Sequence, residues 1–167
     1  MDELARRAGV SKPVVYGVVA SKEELYRRLF EQAADELAAS VAGAALAHRG
    51  DLEAELRETA IAFFGFIDGH RGAWAMLYAS DGGPLMGYVG AIRARQARFV
   101  VTLLEERAAE SGAVLDQQQA EVAAFALNGA YEALAHWWRE HPEVPARTLA
   151  DRLVAFVFPG MRELTDG

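Results

Sequence analysis

The sequence contains no cysteine, and only two of its 17 basic residues are lysines. Without cysteine the chain can form no disulfide, no thiolate nucleophile and no cysteine-ligated metal site. It also lacks any apolar run approaching the roughly 20 residues that span a bilayer, and no signal-peptide pattern opens it. These absences predict a cytoplasmic protein without a membrane segment.

Charge is the second informative feature. The net charge of −7 is not typical of a pure nucleic-acid-binding module, although 52% hydrophobic residues suffice for a sizeable core. The charge is unevenly spread, because residues 1–22 carry +2 and the remainder −9. A slightly basic N-terminus on an acidic body is typical of a nucleic-acid reader joined to another domain, since repulsion keeps the acidic part off the duplex.

Apolar residues recur every three or four positions along almost the whole chain, and no segment alternates as a strand does. The pattern predicts an all-α fold. Ser21 with Glu24, and Asp116 with Gln119, have the spacing of capping boxes, and Asp51 is a further candidate cap. We expect helices near residues 2–8, 12–19, 22–47, 52–68, 73–79, 84–109, 117–140 and 146–164, with a bend at Pro159 and Gly160 in the last.

The first two predicted helices are joined by the short turn Gly9-Val10-Ser11. Two helices with such a turn form a helix-turn-helix, whose second helix can lie in a DNA major groove. Both lysines, Lys12 and Lys22, fall in the first turn of a helix, where a cation opposes the helix dipole. An anion bound there would offset this cost; the alternative is that both lysines are simply solvated.

The segments Ala8-GVSKPVV-Tyr16 and Ser21-KEEL-Tyr26 resemble the DNA-binding domain of the tetracycline-repressor (TetR) family of transcriptional regulators. The resemblance implies a homodimeric, all-helical repressor that binds a double-stranded DNA operator and a small-molecule effector, with no cofactor. It also implies, position by position, a set of DNA-contacting residues, of which Lys22 would hold a phosphate: Ser11, Lys12, Pro13, Val14, Tyr16, Gly17 and Lys22.

The sequence departs from that family in two respects. Members begin with a further helix, which here is expected to be missing before Met1, so the N-terminal unit should be short of apolar cover. Gly17 and Val18 stand where polar or aromatic residues usually touch the DNA backbone, and Gly17 weakens its helix by roughly 1 kcal/mol relative to alanine. These departures favour an alternative function, a ligand- or partner-binding helical dimer that has lost DNA binding.

We therefore expect a helix-turn-helix unit at residues 1–45 and a helical ligand-binding and dimerisation unit at residues 46–167. Aromatic and methionine side chains with one amide could line an apolar pocket between helices. The candidates are Phe63, Phe66, Trp74, Tyr78, Met86, Tyr88, Phe99, Phe125, Asn128 and Tyr131. Ordinary core packing is the alternative, and a dimerisation module without a ligand would require a solid core at this place.

The last two long helices suit a two-fold interface, because small residues permit close helix approach and tryptophans provide large anchors. The candidate interface residues are Ala126, Gly129, Ala130, Trp137, Trp138, Leu149, Leu153 and Phe156. Reading two operator half-sites requires such a dimer. The alternative is that both helices only cover the core.

No residue pattern supports catalysis or a metal site. His136 and His141 are five residues apart, which places them on different helix faces and argues against a zinc pair. Glu23-Glu24 and Glu105-Glu106 are expected to be exposed helix charge. The sequence predicts that the protein is not an enzyme.

Overall fold

The computed structural model describes residues 1–72, 74 and 86–166, with the backbone alone for residues 86–89 and 166. This part of the chain contains seven helices and no strand, which confirms the all-α prediction. The helices are α1 (Asp2–Ala8), α2 (Lys12–Val18), α3 (Lys22–Ala47), α4 (Leu52–Gly69), α5 (Met86–Ser111), α6 (Gln117–Glu140) and α7 (Ala146–Asp166). The helix predicted at residues 73–79 falls almost wholly outside the described residues, as does the start predicted at Pro84.

Three helices begin at the side-chain caps that the sequence predicts. The backbone N–H of Glu24 donates to Ser21 Oγ at 3.1 Å, and that of Gln119 donates to Asp116 Oδ2 at 3.3 Å. Asp51 likewise accepts from the N–H of Ala54 at 3.0 Å. Each bond satisfies a donor that the first helical turn leaves free. Ser11 occupies the N-cap position of α2, but its side chain accepts no such bond from the described residues.

The helix ends also follow from the local sequence. Gly9 ends α1 with φ 68°, a left-handed conformation that glycine adopts without steric cost. The sequence predicts a bend at Pro159 and Gly160, and α7 continues through both residues. Pro159 lies on the exposed side of α7, where water can satisfy the carbonyl that lacks its usual partner.

The N-terminal helix-turn-helix has a small core of its own. Ala5, Val15 and Val19 are buried against one another, with Met1 and Leu25 partly buried beside them. Several large apolar side chains of this unit are exposed: Leu4, Val10, Val14, Val18 and Leu29. The unit is therefore short of apolar cover, as its sequence predicts.

The larger core lies between the remaining helices, with α4 at its centre. α4 packs on α3 at one side and on α7 at the other, while α6 packs mainly on α5. Phe64 of α4 is fully buried, in agreement with a helix that is apolar around most of its circumference. α3 contributes Leu37 to this core and Leu25 to the N-terminal one. One continuous helix therefore joins the two units.

None of the helices in the described ranges combines the length and the apolarity that crossing a bilayer requires.

Candidate functional site

Helices α3, α4, α5 and α6 line a partly open cavity of about 510 Å³. Its walls are mostly aliphatic and aromatic side chains, as in sites that bind small molecules, which span about 300–1,000 Å³. α3 forms one wall with residues between Phe30 and Ala42, and α4 faces it with residues between Leu52 and Phe66. α5 and α6 close the cavity with residues that include Val100 and Leu127. This volume argues against the solid core that a ligand-free dimerisation module would have.

Six of the predicted ligand-binding residues line the cavity: Phe63, Phe66, Trp74, Phe99, Asn128 and Tyr131. Phe125 does not belong to this wall, because it lies on another face of α6 with its side chain 61% exposed. Tyr78 lies outside the described residues, and so do the side chains of Met86 and Tyr88.

The aromatic residues of the wall also pack on one another. The ring centroid of Phe63 lies 4.8 Å from that of Tyr131 and 5.8 Å from that of Trp74, in a near-perpendicular arrangement with the latter. Such edge-to-face contacts hold aromatic rings in fixed orientations. The two alternatives for these residues, core packing and cavity lining, therefore apply together.

The uncharged polar residues of this wall are few, and two of them, Thr59 and Tyr131, are hydrogen bonded. The Thr59 hydroxyl donates to the carbonyl oxygen of Leu56 at 3.0 Å, and Thr59 is also hydrogen bonded to Tyr131. Burial raises the pKa of Tyr131 to about 12, so the phenol is neutral at physiological pH. The amide nitrogen of Asn128, Nδ2, is buried and has no hydrogen-bond partner in the described part of the chain.

The charged residues of the wall form ion pairs between helices. Among the described residues, three arginines and three carboxylates line the cavity, and each arginine has its own partner. The pairs are Arg93–Glu132 at 2.6 Å, Arg95–Asp35 at 2.9 Å and Arg107–Glu55 at 2.6 Å. Sequence reasoning missed all six, because long charged side chains on a helix predict an exposed face and the partners are remote in the sequence.

A second, smaller cavity of about 250 Å³ shares part of its wall with the first. The shared residues include Glu55, Phe99 and Arg107. Its lining also includes Arg49, which pairs with Glu110 at 2.8 Å. The Arg107–Glu55 pair thus lies in a wall common to both cavities.

All seven predicted DNA-contacting residues are exposed, and Val15 and Val19 are the buried residues between them. Lys12 Nζ lies 2.9 Å from a carboxylate oxygen of Asp2, and this hydrogen bond raises the pKa of Lys12. Lys22 Nζ lies 5.3 Å from the centre of the Tyr26 ring. Both cations are held within the unit and remain accessible to solvent.

The predicted interface residues separate into two groups. Ala126, Gly129, Trp137 and Phe156 are exposed, and Ala130 is half-buried. Trp138, Leu149 and Leu153 are instead buried in the core of their own chain.

Trp138 shows how that inward position is fixed. Its Nε1 donates to the carbonyl oxygen of Val144 at 2.7 Å, and its ring meets that of Phe64 edge to face at 5.9 Å. The spacing of apolar residues in the sequence could not predict that Trp138 faces the core, because α6 and α7 each carry apolar residues on more than one face.

An exposed apolar stripe follows α6, at the three- and four-residue spacing of one helix face. It consists of Val122, Phe125, Ala126, Gly129, Ala133 and Trp137. Sequence reasoning did not assign Val122 or Ala133 to an interface, and it assigned Phe125 to the ligand pocket. On α7, the Phe156 side chain is 82% exposed. Contiguous exposed apolar surface of this kind marks sites of protein association.

Comparisons with known proteins agree with this architecture. Residues 52–160, well over half of the chain, match the model of the "Tetracyclin repressor-like, C-terminal domain" family. The crystal structure of a TetR-like transcriptional regulator from Rhodococcus sp. RHA1 superposes with a TM-score of 0.72 and 28% sequence identity. That alignment covers 96% of this chain and 82% of the other.

A curated relative gives a local match. The chain is 40% identical over 81 residues to the HTH-type transcriptional activator FasR of Mycolicibacterium smegmatis. The match covers 48% of this chain and 36% of FasR. The chain thus aligns with about a third of the length of this relative.

The helix-turn-helix, the helical bundle and these likenesses are those of a family of transcriptional regulators. More particularly, the chain belongs to the tetracycline-repressor family, TetR.

Proposed function

We propose that the protein is a homodimeric, DNA-binding repressor whose affinity for its operator is controlled by a small apolar or aromatic ligand in the 510 Å³ cavity. In this proposal residues 1–45 bind DNA and residues 46–167 bind the ligand and the second protomer. Access to an operator requires a cytoplasmic location. The observation that carries the proposal is the double role of α3.

α3 begins in the helix-turn-helix and ends beside the cavity. Leu25 packs on the small core that holds α2, and Phe30, Leu37 and Val41 line the cavity further along the same helix. A ligand in contact with these residues therefore touches the helix to which the recognition helix is attached. α3 packs closely on α4 and makes few contacts with α5, so the cavity lies along its less constrained side.

Control of DNA binding then follows from differential affinity. A ligand that binds more tightly to one position of α3 shifts the protein towards that position. In a dimer, a shift of α3 changes the distance between the two copies of α2, which must match successive major grooves about 34 Å apart. A mismatch of this distance weakens operator binding without any change in the residues that touch DNA.

The exposed face of α2 supports the DNA-binding part. Ser11, Lys12 and Tyr16 present two hydroxyls and an ammonium from one short helix. We expect Lys22, which is exposed at the start of α3, to contact a phosphate. We expect phosphate contacts to dominate the affinity and a few α2 side chains to contribute base recognition.

The apolar stripe on α6 supports the dimer. Gly129 lies in the middle of a helix, where glycine costs roughly 1 kcal/mol relative to alanine. No described atom lies within 4 Å of a Cβ built at Gly129, so packing within the chain does not require a glycine there. Close approach of a second protomer's helix provides a reason for it.

The test is DNA binding by fluorescence anisotropy as a function of salt, with labelled DNA flanking the gene. The 167-residue chain is compared with a version carrying the coding sequence upstream of residue 1. Specific binding with a steep salt dependence, relieved by the ligand, supports the proposal. FasR is named an activator, so transcription from the bound promoter must be measured to determine the sign of regulation.

The alternative is a helical dimer that binds a ligand or a partner and has lost DNA binding. The ion pair between Lys12 and Asp2 and the net charge of −7 favour it. If neither version binds flanking DNA at low salt, the repressor proposal is abandoned in favour of this one.

A further inference from the structure

We propose that the cavity selects an uncharged, largely apolar ligand bearing a hydrogen-bond acceptor such as a carbonyl oxygen, and that the Asn128 amide is the donor that binds this oxygen. The inference rests on the ligand-binding part of the proposed function and adds the chemical class of the ligand.

The first observation is the unpaired donor. Asn128 Nδ2 is buried at the cavity wall and has no partner among the residues that the structure describes. A buried N–H group without a partner has lost its hydrogen bonds to water, and this loss is costly. Most buried N–H groups in folded proteins therefore have a hydrogen-bond partner. The neighbouring polar side chains of Thr59 and Tyr131 bond to each other and do not satisfy it. A hydrogen-bond acceptor on a bound molecule would provide Asn128 Nδ2 with a partner.

The second observation is the balance of charge around the wall. The three pairs Arg93–Glu132, Arg95–Asp35 and Arg107–Glu55 leave none of these arginines without a carboxylate partner in the described structure. An anionic ligand would therefore meet arginines whose charge a carboxylate already balances, and a cationic ligand would meet carboxylates that an arginine already balances. Neither sign of charge on a ligand finds an uncompensated partner among these six residues. A neutral ligand requires no such partner.

The third observation is the apolar surface near Asn128. Leu127 and Tyr131 lie next to it on the cavity side of α6, and Phe63 packs on Tyr131 at 4.8 Å. A hydrogen bond in such surroundings fixes the orientation of a ligand, while its affinity comes mainly from buried apolar area. A buried donor that faces a ligand acceptor in apolar surroundings discriminates strongly, because a ligand without the acceptor leaves that donor unpaired.

The experiment uses three probes of one shape, which are diphenylmethane, benzophenone and 4-benzoylbenzoate. Benzophenone replaces the central CH₂ of diphenylmethane with a carbonyl, and 4-benzoylbenzoate adds a negative charge. Binding to the full chain is measured by equilibrium dialysis with chromatographic quantification, in the absence of DNA. The quantity compared is the ratio of benzophenone affinity to diphenylmethane affinity.

We expect this ratio to fall roughly three- to tenfold in Asn128→Leu, which corresponds to the loss of one neutral hydrogen bond. Asn128→Ala should give the same fall and serves as a second variant should the leucine disturb packing. In Gln118→Leu, which removes an exposed amide of the same helix away from the cavity, the ratio should remain as in the wild type. 4-Benzoylbenzoate should bind at least about tenfold more weakly than benzophenone.

An unchanged ratio in both Asn128 variants overturns the inference, as does equal or tighter binding of 4-benzoylbenzoate. Failure of all three probes to bind also overturns it. These outcomes are distinct from failure of the regulator proposal, which the operator titration decides. A chain that binds its operator but shows no Asn128-dependent preference is a regulator with another class of ligand.

Discussion

Arg107 of α5 and Glu55 of α4 are joined by an ion pair of 2.6 Å, with their side chains 18% and 14% exposed. The pair lies in the wall shared by the two cavities and ties α4 to α5. Neither charge can be removed alone without leaving the other partly buried and unpaired, because desolvation of an ion is costly in the absence of its partner.

Arg107→Met should therefore lower the free energy of unfolding by about 2–4 kcal/mol. The double variant Glu55→Leu/Arg107→Met should be less destabilised than Arg107→Met alone, because it removes the unpaired carboxylate as well. Urea denaturation of the wild type, both single variants and the double variant closes a double-mutant cycle. Additive effects would show that the two charges do not interact.

Phe156→Asp should dissociate the proposed dimer. The Phe156 side chain is largely exposed, so the fold of one chain does not depend on it, whereas a carboxylate buried in an apolar interface is strongly unfavourable. Sedimentation velocity should show a shift from dimer to monomer with unchanged helical circular dichroism. Val114→Asp is the matched control, because Val114 is 98% exposed in the segment between α5 and α6. Persistence of the Phe156→Asp dimer would place the interface elsewhere.

Lys12→Gln should flatten the salt dependence of operator binding. Each phosphate contact contributes roughly 0.9 to the slope of log K against log salt concentration, so loss of one contact should reduce the slope by about 1. Asp2→Asn removes the intramolecular partner of Lys12 and should leave the slope unchanged or steeper. Anisotropy titrations at several salt concentrations measure the slope for both variants. A slope that does not respond to Lys12→Gln excludes a phosphate contact at that residue.

Tyr131 should ionise at unusually high pH. Burial raises its pKa from 10.0 to about 12, so the stability that this group contributes is fully present below pH 10 and is lost as the pH rises towards 12. Tyrosinate absorbance, recorded by stopped flow before alkaline unfolding, should show a component near pH 12 that is missing from Tyr131→Phe. If the component missing from Tyr131→Phe lies near pH 10 instead, the Tyr131 phenol is exposed to water.

Glu24 should remain ionised in acid. Hydrogen bonds from Arg27 and Arg28 lower its pKa from 4.5 to about 2. Its contribution to stability is therefore present above pH 4.5 and is lost as the pH falls through 2. At neutral pH, Glu24→Gln should have a lower melting temperature than the wild type. Between pH 4.5 and pH 2 this difference in melting temperature should become smaller as the pH falls. A constant difference in melting temperature across the window would contradict this linkage.

Within this fold, the sequence determined whatever depends on neighbours in the chain. The caps at Ser21, Asp51 and Asp116 could be predicted because each joins residues three positions apart. The left-handed Gly9 and the all-α class follow from the same short-range physics. The family resemblance rests on such a local segment too.

Tertiary packing decided the rest. Trp137 and Trp138 are adjacent and chemically alike, yet one is exposed and the other is buried against Phe64, because packing of α6 on its neighbours selects which face turns inward. The pairing of Arg107 with Glu55 joins residues 52 positions apart and has no local signal. The cavity lies where four helices meet, and Asn128 Nδ2 in its wall has no partner among the described residues. Both depend on distances between helices that no short segment of sequence specifies.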